Sequence, residues 1–396
     1  MTDADAARWM TRAVGLARRG AGRVGPGALV GCVLVGPDGE LWGKGWYGTW
    51  GGPHAEVWAV RDAERRGYGD RLAEATAIVT LEPCAHWGKT PPCATLLVER
   101  GIRRVVVAHL DPFPEVAGRG VEILRAAGAD VTVGVGEAEA RHANAAFLTH
   151  VRTGRPHVTL KVAATLDGQI ATASGDSRWV TGAAARQRVH QMRAEADAVL
   201  VGSGTARMDD PALTVRDVPL ADGQTQPLRV VLDRTGALPP DLALFTDRAA
   251  PTLRVVADGT VLDDAEPAPA QAEGVAVWRV PEADGHLDLG ALLDRLGTEP
   301  LELESGAGSG ARRVVQSVLV EAGPGLATAL LRADLVDHLA WFVAPKLAGA
   351  GTPSTRDLGV ARMADALGGS AVRWEILGDD ALATIDLREP APTPTG

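Results

Sequence analysis

Apolar positions along the chain recur with two periods. Residues 3 to 19 carry Trp9, Ala13, Leu16 and Ala17 at helical spacing, which predicts an opening helix capped by Asp3. Apolar runs at 29–35, 76–81, 103–108 and 130–135 read as strands, with helices at 54–66, 93–100, 118–127 and 137–150. Alternating strand and helix is an α/β layout. The turn-rich stretch Arg152-Thr-Gly-Arg-Pro156 closes it, so a first domain is expected over 1–150. A second is expected over 156–388, with strands at 157–163, 197–201, 228–232, 253–256, 274–280, 314–320 and 336–343. Its helices are expected at about 182–194, capped by Thr181, and at 325–333. Val372, Trp374 and Ile376 alternate with polar or small residues before a Gly378-Asp-Asp380 turn, and 381–387 return as the second arm of a hairpin. The stretches 258–273 and 297–312 lack periodicity and read as mobile surface insertions, and 389–396 as a disordered tail.

Composition narrows the class. A chain of 396 residues is long for one core, and 46% hydrophobic with 23% charged residues is globular composition. No apolar run approaches the ~20 residues of a membrane-spanning helix. The opening MTDADAARWM has no basic n-region or apolar h-region, so a cytoplasmic protein is expected. Its net charge of -10 argues against nucleic acid as partner, because phosphate backbones demand clustered Lys and Arg. Three cysteines make no disulfide framework and are available for metal or core packing.

Two of them join a constellation. Pro53-His54-Ala55-Glu56 opens a helix, Pro83-Cys84 follows a strand, and Cys93 opens another helix. Taken singly, each is ordinary: a histidine at a helix start, two small buried thiols. Together and in this order, His54, Cys84 and Cys93 read as three zinc ligands that leave a fourth position open, the mark of a catalytic rather than structural zinc. Zinc lowers the pKa of water toward neutrality, and Glu56, two residues after the histidine, is the expected proton shuttle of a hydrolytic deaminase. Cys32, inside an apolar run, reads as core.

At this point the chain resembles the bifunctional diaminohydroxyphosphoribosylaminopyrimidine deaminase and 5-amino-6-(5-phosphoribosylamino)uracil reductase family of riboflavin biosynthesis. The resemblance rests first on Leu81-Glu-Pro-Cys84-Ala-His86-Trp-Gly-Lys89-Thr-Pro-Pro-Cys93, whose eight-residue gap between cysteines differs from the Cys-x-x-Cys of cytidine and tRNA deaminases. Pro53-His-Ala-Glu-Val57 and Ala117-Gly-Arg-Gly120 fit as well. It implies a cytidine-deaminase-like three-layer α/β/α domain followed by a dihydrofolate-reductase-like α/β domain, with zinc and NADPH as cofactors. His86 and Lys89 would contact the substrate and its phosphate. Three positions depart from the family pattern: Gly27 and Phe113 stand where the family has asparagine, and Tyr47 where it has histidine. A deaminase that is weak or redirected to another pyrimidine is one expectation from these departures, and local compensation is the other. Trp46, Trp50 and Trp87 crowd the same region and are candidates to stack on a flat base or to line the cavity.

For the second half the resemblance rests on Lys161-Val-Ala-Ala-Thr-Leu-Asp167-Gly168, Ser174-Gly-Asp-Ser-Arg-Trp-Val-Thr181, Val201-Gly-Ser-Gly-Thr205, Asp209-Asp-Pro-Ala-Leu-Thr-Val-Arg216 and Glu321-Ala-Gly-Pro-Gly325. It implies Lys161, Asp209 and Glu321 around the ribose carbon that accepts hydride, and Arg193 and Arg216 on the sugar phosphate. Thr181, Gly202, Gly204, Thr205, Gly323 and Gly325 would hold the cofactor, since glycines after a strand let a phosphate approach backbone N–H groups and helix N-termini. Arg234 is the candidate for the 2'-phosphate. His338 stands where the family has a glutamate. The partners expected are a small pyrimidine ribosyl phosphate and a second copy of the chain, with no nucleic acid and no membrane. A zinc-stabilised binding protein without catalysis is the competing class, and Glu56 speaks against it because a scaffold has no use for a proton shuttle.

Overall fold

The computed structural model describes residues 2–86, 91–113, 116–262, 274–301 and 314–388. The chain parts into two compact units between Thr153 and Gly154. Among the described residues no helix is long and apolar enough to cross a membrane.

The first unit runs α1 (Asp3–Ala17), β1 (Gly31–Val35), β2 (Leu41–Trp46), α2 (Ala55–Arg65), β3 (Thr76–Val79), α3 (Cys93–Glu99), β4 (Arg104–Val107), α4 (Arg119–Ala126), β5 (Asp130–Val133), α5 (Glu137–Ala143) and α6 (Ala145–Thr153). Its sheet has the order β2-β1-β3-β4-β5, with β1 antiparallel to both neighbours and β3, β4 and β5 parallel. Period-2 alternation divides β1 between two cores. Cys32 and Leu34 pack with α2, α3 and α4 residues, while Val33 and Val35 pack with Trp9, Met10 and Ala13 of α1 and Ala140 of α5. Three layers follow from that division.

Strand β2 is not among the expected strands, and Leu41-Trp-Gly-Lys-Gly-Trp46 carries two glycines in its interior. Its glycines have a packing reason: a Cβ at Gly43 would stand 2.2 Å from the Ala59 carbonyl oxygen, and one at Gly45 2.2 Å from that of Ala55. Helix α2 therefore lies directly on the β2 backbone, which fixes where its first turn points. Two caps also differ from expectation. The cap of α1 is Thr2, whose hydroxyl accepts from the Asp5 N–H at 3.2 Å, and Asp3 is the first helical residue. The helix expected over 137–150 breaks at Asn144, whose side chain clamps Leu29 through both its N–H (2.7 Å) and its carbonyl (2.9 Å).

The second unit runs β6 (His157–Thr165), β7 (Gln169–Thr172), α7 (Ala183–Glu195), β8 (Ala198–Gly202), α8 (Ser203–Asp209), β9 (Leu228–Leu232), α9 (Ala243–Thr246), β10 (Thr252–Ala257), β11 (Val275–Val280), β12 (Glu282–Ala283), β13 (His286–Leu287), α10 (Leu289–Thr298), β14 (Ser317–Glu321), α11 (Pro324–Arg332), β15 (His338–Ala344), β16 (Gly351–Pro353), β17 (Ser370–Leu377) and β18 (Asp380–Asp386). Nine strands form one sheet in the order β11-β10-β9-β8-β14-β6-β15-β18-β17. It is parallel from β11 to β15 and closes with an antiparallel hairpin. Helices cover both faces: α10 and α11 contribute to one core, and α8 and α9 to another. Helix α7 is capped by Gly182 and not Thr181, and the Gly182 N–H donates to Asp380 at 2.7 Å. Helix α10 occupies the start of the stretch expected as an insertion at 297–312; residues 263–273, 302–312 and the tail 389–396 lie outside the described residues. The apolar side of β17 is open, with Trp374 67% and Ile376 74% exposed on the edge strand.

Candidate functional site

The first site grows from two helix starts and one loop. His54 is the cap residue of α2, Cys93 is the first residue of α3, and Cys84 sits on the loop after β3. Cys84 Sγ and Cys93 Sγ stand 3.5 and 3.4 Å from His54 Nδ1, and all three ligand atoms lie within 4.8 Å of one another. Atoms about 2.0–2.3 Å from a shared tetrahedral centre stand roughly 3.6–3.8 Å apart, so the trio fits zinc without rearrangement. Hydrogen bonds from Cys93, whose N–H lies 3.3 Å from Cys84 Sγ, and from His54 hold the Cys84 thiol far below its ordinary range. Its thiolate in turn raises His54, and the Cys93 thiol is pushed up by sharing a proton with Cys84.

Glu56 lies in the first turn of α2 and is 3% exposed. Burial, with the Cys84 thiolate adding to it, lifts its carboxyl to about 7. A carboxyl poised there both takes and gives a proton near neutral pH. His86 is exposed and close enough to Asp111 to favour that residue's charged form, while burial lifts Asp111 to about 6. Lys89 and Trp87 lie outside the described residues.

Glu82, two residues before Cys84, is a functional residue that side-chain pattern does not single out. It is 3% exposed and accepts four backbone N–H bonds, from Asp111 (3.1 Å), Gly118 (2.9 Å), Gly120 (2.8 Å) and Val121 (3.1 Å). A Cβ at Gly120 would stand 1.9 Å from the Pro83 carbonyl oxygen, so the start of α4 and the Cys84 loop touch backbone to backbone. Its only sequence trace is a glutamate beside Pro-Cys.

The three departures are not alike. Phe113 is 45% exposed, and its N–H donates to Asp111 at 2.9 Å. Gly27 and Tyr47 belong to one packed group: a Cβ at Gly27 would stand 2.9 Å from the Val24 carbonyl oxygen, 3.1 Å from the Trp50 ring and 3.2 Å from the Tyr47 ring. An asparagine at 27 has no room. Gly27→Asn is expected to cost about 1–3 kcal/mol through overpacking, read as a lower thermal midpoint. An unchanged melt would show that Trp50 and the Val24 turn yield freely.

The second site forms at the carboxyl ends of β8 and β14 and the middle of β6. Lys161 and Glu321 are register partners on adjacent parallel strands, with Nζ and Oε2 3.7 Å apart. Arg193 reaches in from α7, placing Nε 2.6 Å and Nη2 3.1 Å from the Glu321 oxygens and Nη1 2.9 Å from the Thr214 carbonyl. Burial alone would raise Glu321, but Arg193 and Lys161 outweigh it and hold the carboxyl down to about 2. Arg193 is thus engaged on every nitrogen. Arg216 is exposed nearby, its N–H donating to His190 of α7 at 3.1 Å.

Two glycine turns adjoin these residues. Gly202 caps α8 and Gly323 caps α11, and a Cβ at Gly323 would stand 3.5 Å from the Thr205 hydroxyl. Gly204 has open space where a Cβ would be. Helix α8 was not expected, because Gly-Ser-Gly reads as loop. Gly325 faces the exposed Arg356, whose guanidinium carbon lies 3.8 Å from the Cβ position; nothing in the local sequence links these two. Asp209 ends α8, its carbonyl accepting from Arg178 at 3.3 Å, and among the described residues no ion pair joins it to Lys161. Thr181 is buried, and its carbonyl accepts from Arg186 at 2.8 Å. Arg234, 46% exposed, pairs with Glu282 at 2.8 Å. His338 opens β15, the strand beside β6, in register with Thr159, two residues before Lys161. It bonds Asp386 at 2.7 Å, while its neighbour Asp337 is clamped by Arg155, so this departure touches a structural cluster.

A three-ligand zinc trio with a buried glutamate, followed by a sheet with glycine turns beside a lysine–glutamate pair, defines a zinc deaminase joined to a reductase. Residues 3–109 match the cytidine and deoxycytidylate deaminase zinc-binding region, and residues 156–380 match the RibD C-terminal domain. The riboflavin biosynthesis protein RibD of Escherichia coli is 41% identical, with 90% of this chain and 93% of that protein covered. RibD of Aquifex aeolicus is 38% identical over 94% and 96% of the two chains. Among solved structures, Acinetobacter baumannii RibD superposes with a TM-score of 0.79 at 36% identity, covering 97% of this chain and 99% of that one. The diaminohydroxyphosphoribosylaminopyrimidine deaminase/5-amino-6-(5-phosphoribosylamino)uracil reductase of Thermotoga maritima gives the same TM-score and coverage at 34% identity. The chain belongs to the RibD family, the bifunctional deaminase–reductases of riboflavin biosynthesis.

Proposed function

We propose that this cytoplasmic enzyme removes the 2-amino group of a 2,5-diamino-6-ribosylaminopyrimidinone 5'-phosphate and then reduces the ribosyl group to ribityl with NADPH. The observation that carries the deaminase assignment is Glu56, buried at 3% exposure beside a ready-made three-ligand set. His54, Cys84 and Cys93 would hold zinc, which when bound acts as Lewis acid and makes water a nucleophile at neutral pH. Glu56 accepts the proton of the attacking water and delivers it to the departing amine, from a buried place beside the ligands. His86 and Lys89 are the proposed substrate contacts.

In the second unit Lys161 faces the reacting ribose carbon and donates to the oxygen that gains charge, while Glu321, itself held by Arg193, pairs with its ammonium. Arg216 is the open cation for the sugar phosphate, with Arg193 lending charge from beneath; Asp209 closes the ribose side from the end of α8. NADPH, when bound, supplies the hydride. Gly202, Gly204, Thr205, Gly323 and Gly325 would bring backbone N–H groups to its phosphates, with Arg356 beside Gly325 and Thr181 at the flank. Arg234 would exchange Glu282 for the 2'-phosphate. The open edge of β17, with Trp374 and Ile376, is the face proposed for pairing with a second copy of the chain.

About one zinc per chain is expected by elemental analysis of purified protein. The Cys84→Ala, Cys93→Ala double variant should carry none, and zinc retained in it would remove the assignment. Mass identification of products formed from the pyrimidine substrate, with and without NADPH, tests the reaction order.

A further inference from the structure

We infer that Tyr47 is the positioning residue of the metal centre and holds the His54 ring in its ligating plane by packing, where a hydrogen bond usually does so. This rests on reading His54, Cys84 and Cys93 as a zinc site. A ligating histidine ordinarily donates its second ring N–H to a carboxylate or carbonyl, which fixes both tautomer and ring orientation. His54 turns Nδ1 to the two sulfurs, and among the described residues no protein acceptor takes Nε2. Tyr47 meets the imidazole instead, with ring centroids 5.4 Å apart and planes at 77°.

The Tyr47 ring can hold another because it is itself held at every point. It is 8% exposed. Its backbone N–H donates to the Val30 carbonyl at 2.9 Å, and its hydroxyl accepts from the Gly51 N–H at 2.8 Å, three residues before His54. On the Gly27 side a Cβ would come within 3.2 Å of the ring, so the absence of a side chain there is what lets the ring occupy its place. A Cβ at Gly20 would stand 2.4 Å from the Tyr47 carbonyl oxygen, which closes the backbone side too. Gly20, Gly27 and the Gly51 N–H form a socket, Tyr47 fills it, and its ring meets the ligand's ring nearly at right angles. The glycine at 27 and the tyrosine at 47 are one coupled device.

The test compares wild type, Tyr47→Phe and Tyr47→Leu, full-length, by the rate of zinc loss to a chelator and by the visible spectrum of cobalt-substituted protein. Tyr47→Phe keeps the ring and should keep both the release rate and the cobalt bands. Tyr47→Leu fills similar volume without a flat edge, and should release zinc about 10- to 100-fold faster with altered bands, at unchanged far-UV circular dichroism. If Tyr47→Leu does not fold, Tyr47→Met puts the same question. Wild type without zinc would overturn the metal reading and the inference together. Wild type with zinc, alongside a ring-free variant matching it in release and spectrum, overturns the inference alone. Equal zinc loss in the Phe and Leu variants would place the effect in the Gly51 hydrogen bond and also overturn it.

Discussion

Glu56→Gln is expected to keep its zinc and lose deamination by about 10²- to 10⁴-fold, the range that a positioned acid–base group contributes. The substitution preserves volume in a fully packed place, since Glu56 is 3% exposed between the ligands and Cys32. It leaves all three ligand atoms where they are. An amide cannot accept the proton of the attacking water, so the loss falls on turnover and not on metal content. Ammonia release measured beside zinc content decides it. Deamination at the wild-type rate, with metal retained, would end the proton-shuttle role.

Lys161→Ala should suppress NADPH oxidation by the deaminated substrate by a factor on the order of 10², comparable to removing one preorganised donor from a charge-developing site. Zinc-dependent ammonia release should continue, because Lys161 and its partners Glu321 and Arg193 all belong to the second unit. The fold is expected to survive, since Glu321 keeps its two contacts to Arg193. Glu321 also stays charged in any useful buffer. With its carboxyl lowered from 4.5 to about 2, the stability it contributes is complete above about pH 4.5 and lost only as pH falls toward 2. A folded Lys161→Ala that has lost both activities would contradict two separate sites.

What was legible in the sequence followed from side-chain pattern. Leu228–Leu232 and Val275–Val280 are dense in apolar and β-branched residues and declare themselves as strands, and the ligand trio is legible because its members are few in kind and ordered along the chain. What was illegible depended on backbone. Strand β2 hides behind Gly43 and Gly45, whose missing side chains mark a helix lying on the strand. Helix α8 hides behind Gly202 and Gly204, and the break at Asn144 behind a tertiary clamp on Leu29. Tyr47 showed as a departure, but its role depends on Gly27 and Gly51, and no spacing rule connects them. Arg356 approaches Gly325 only because the chain returns past α11.

Glu82 bears on how such an enzyme drifts. Asp111, Gly118, Gly120 and Val121 are tied to the Cys84 arm through main-chain N–H groups, which every residue but proline owns. Gly120 is fixed by its contact with the Pro83 carbonyl, but Phe113 is 45% exposed and bonds Asp111 through its own N–H, so position 113 can carry a phenyl ring in place of an amide without moving the metal ligands. One inward carboxylate holds the backbone on both sides of that exposed position, so a change of side chain at 113 is free to alter what the enzyme meets without undoing the fold that carries the ligands.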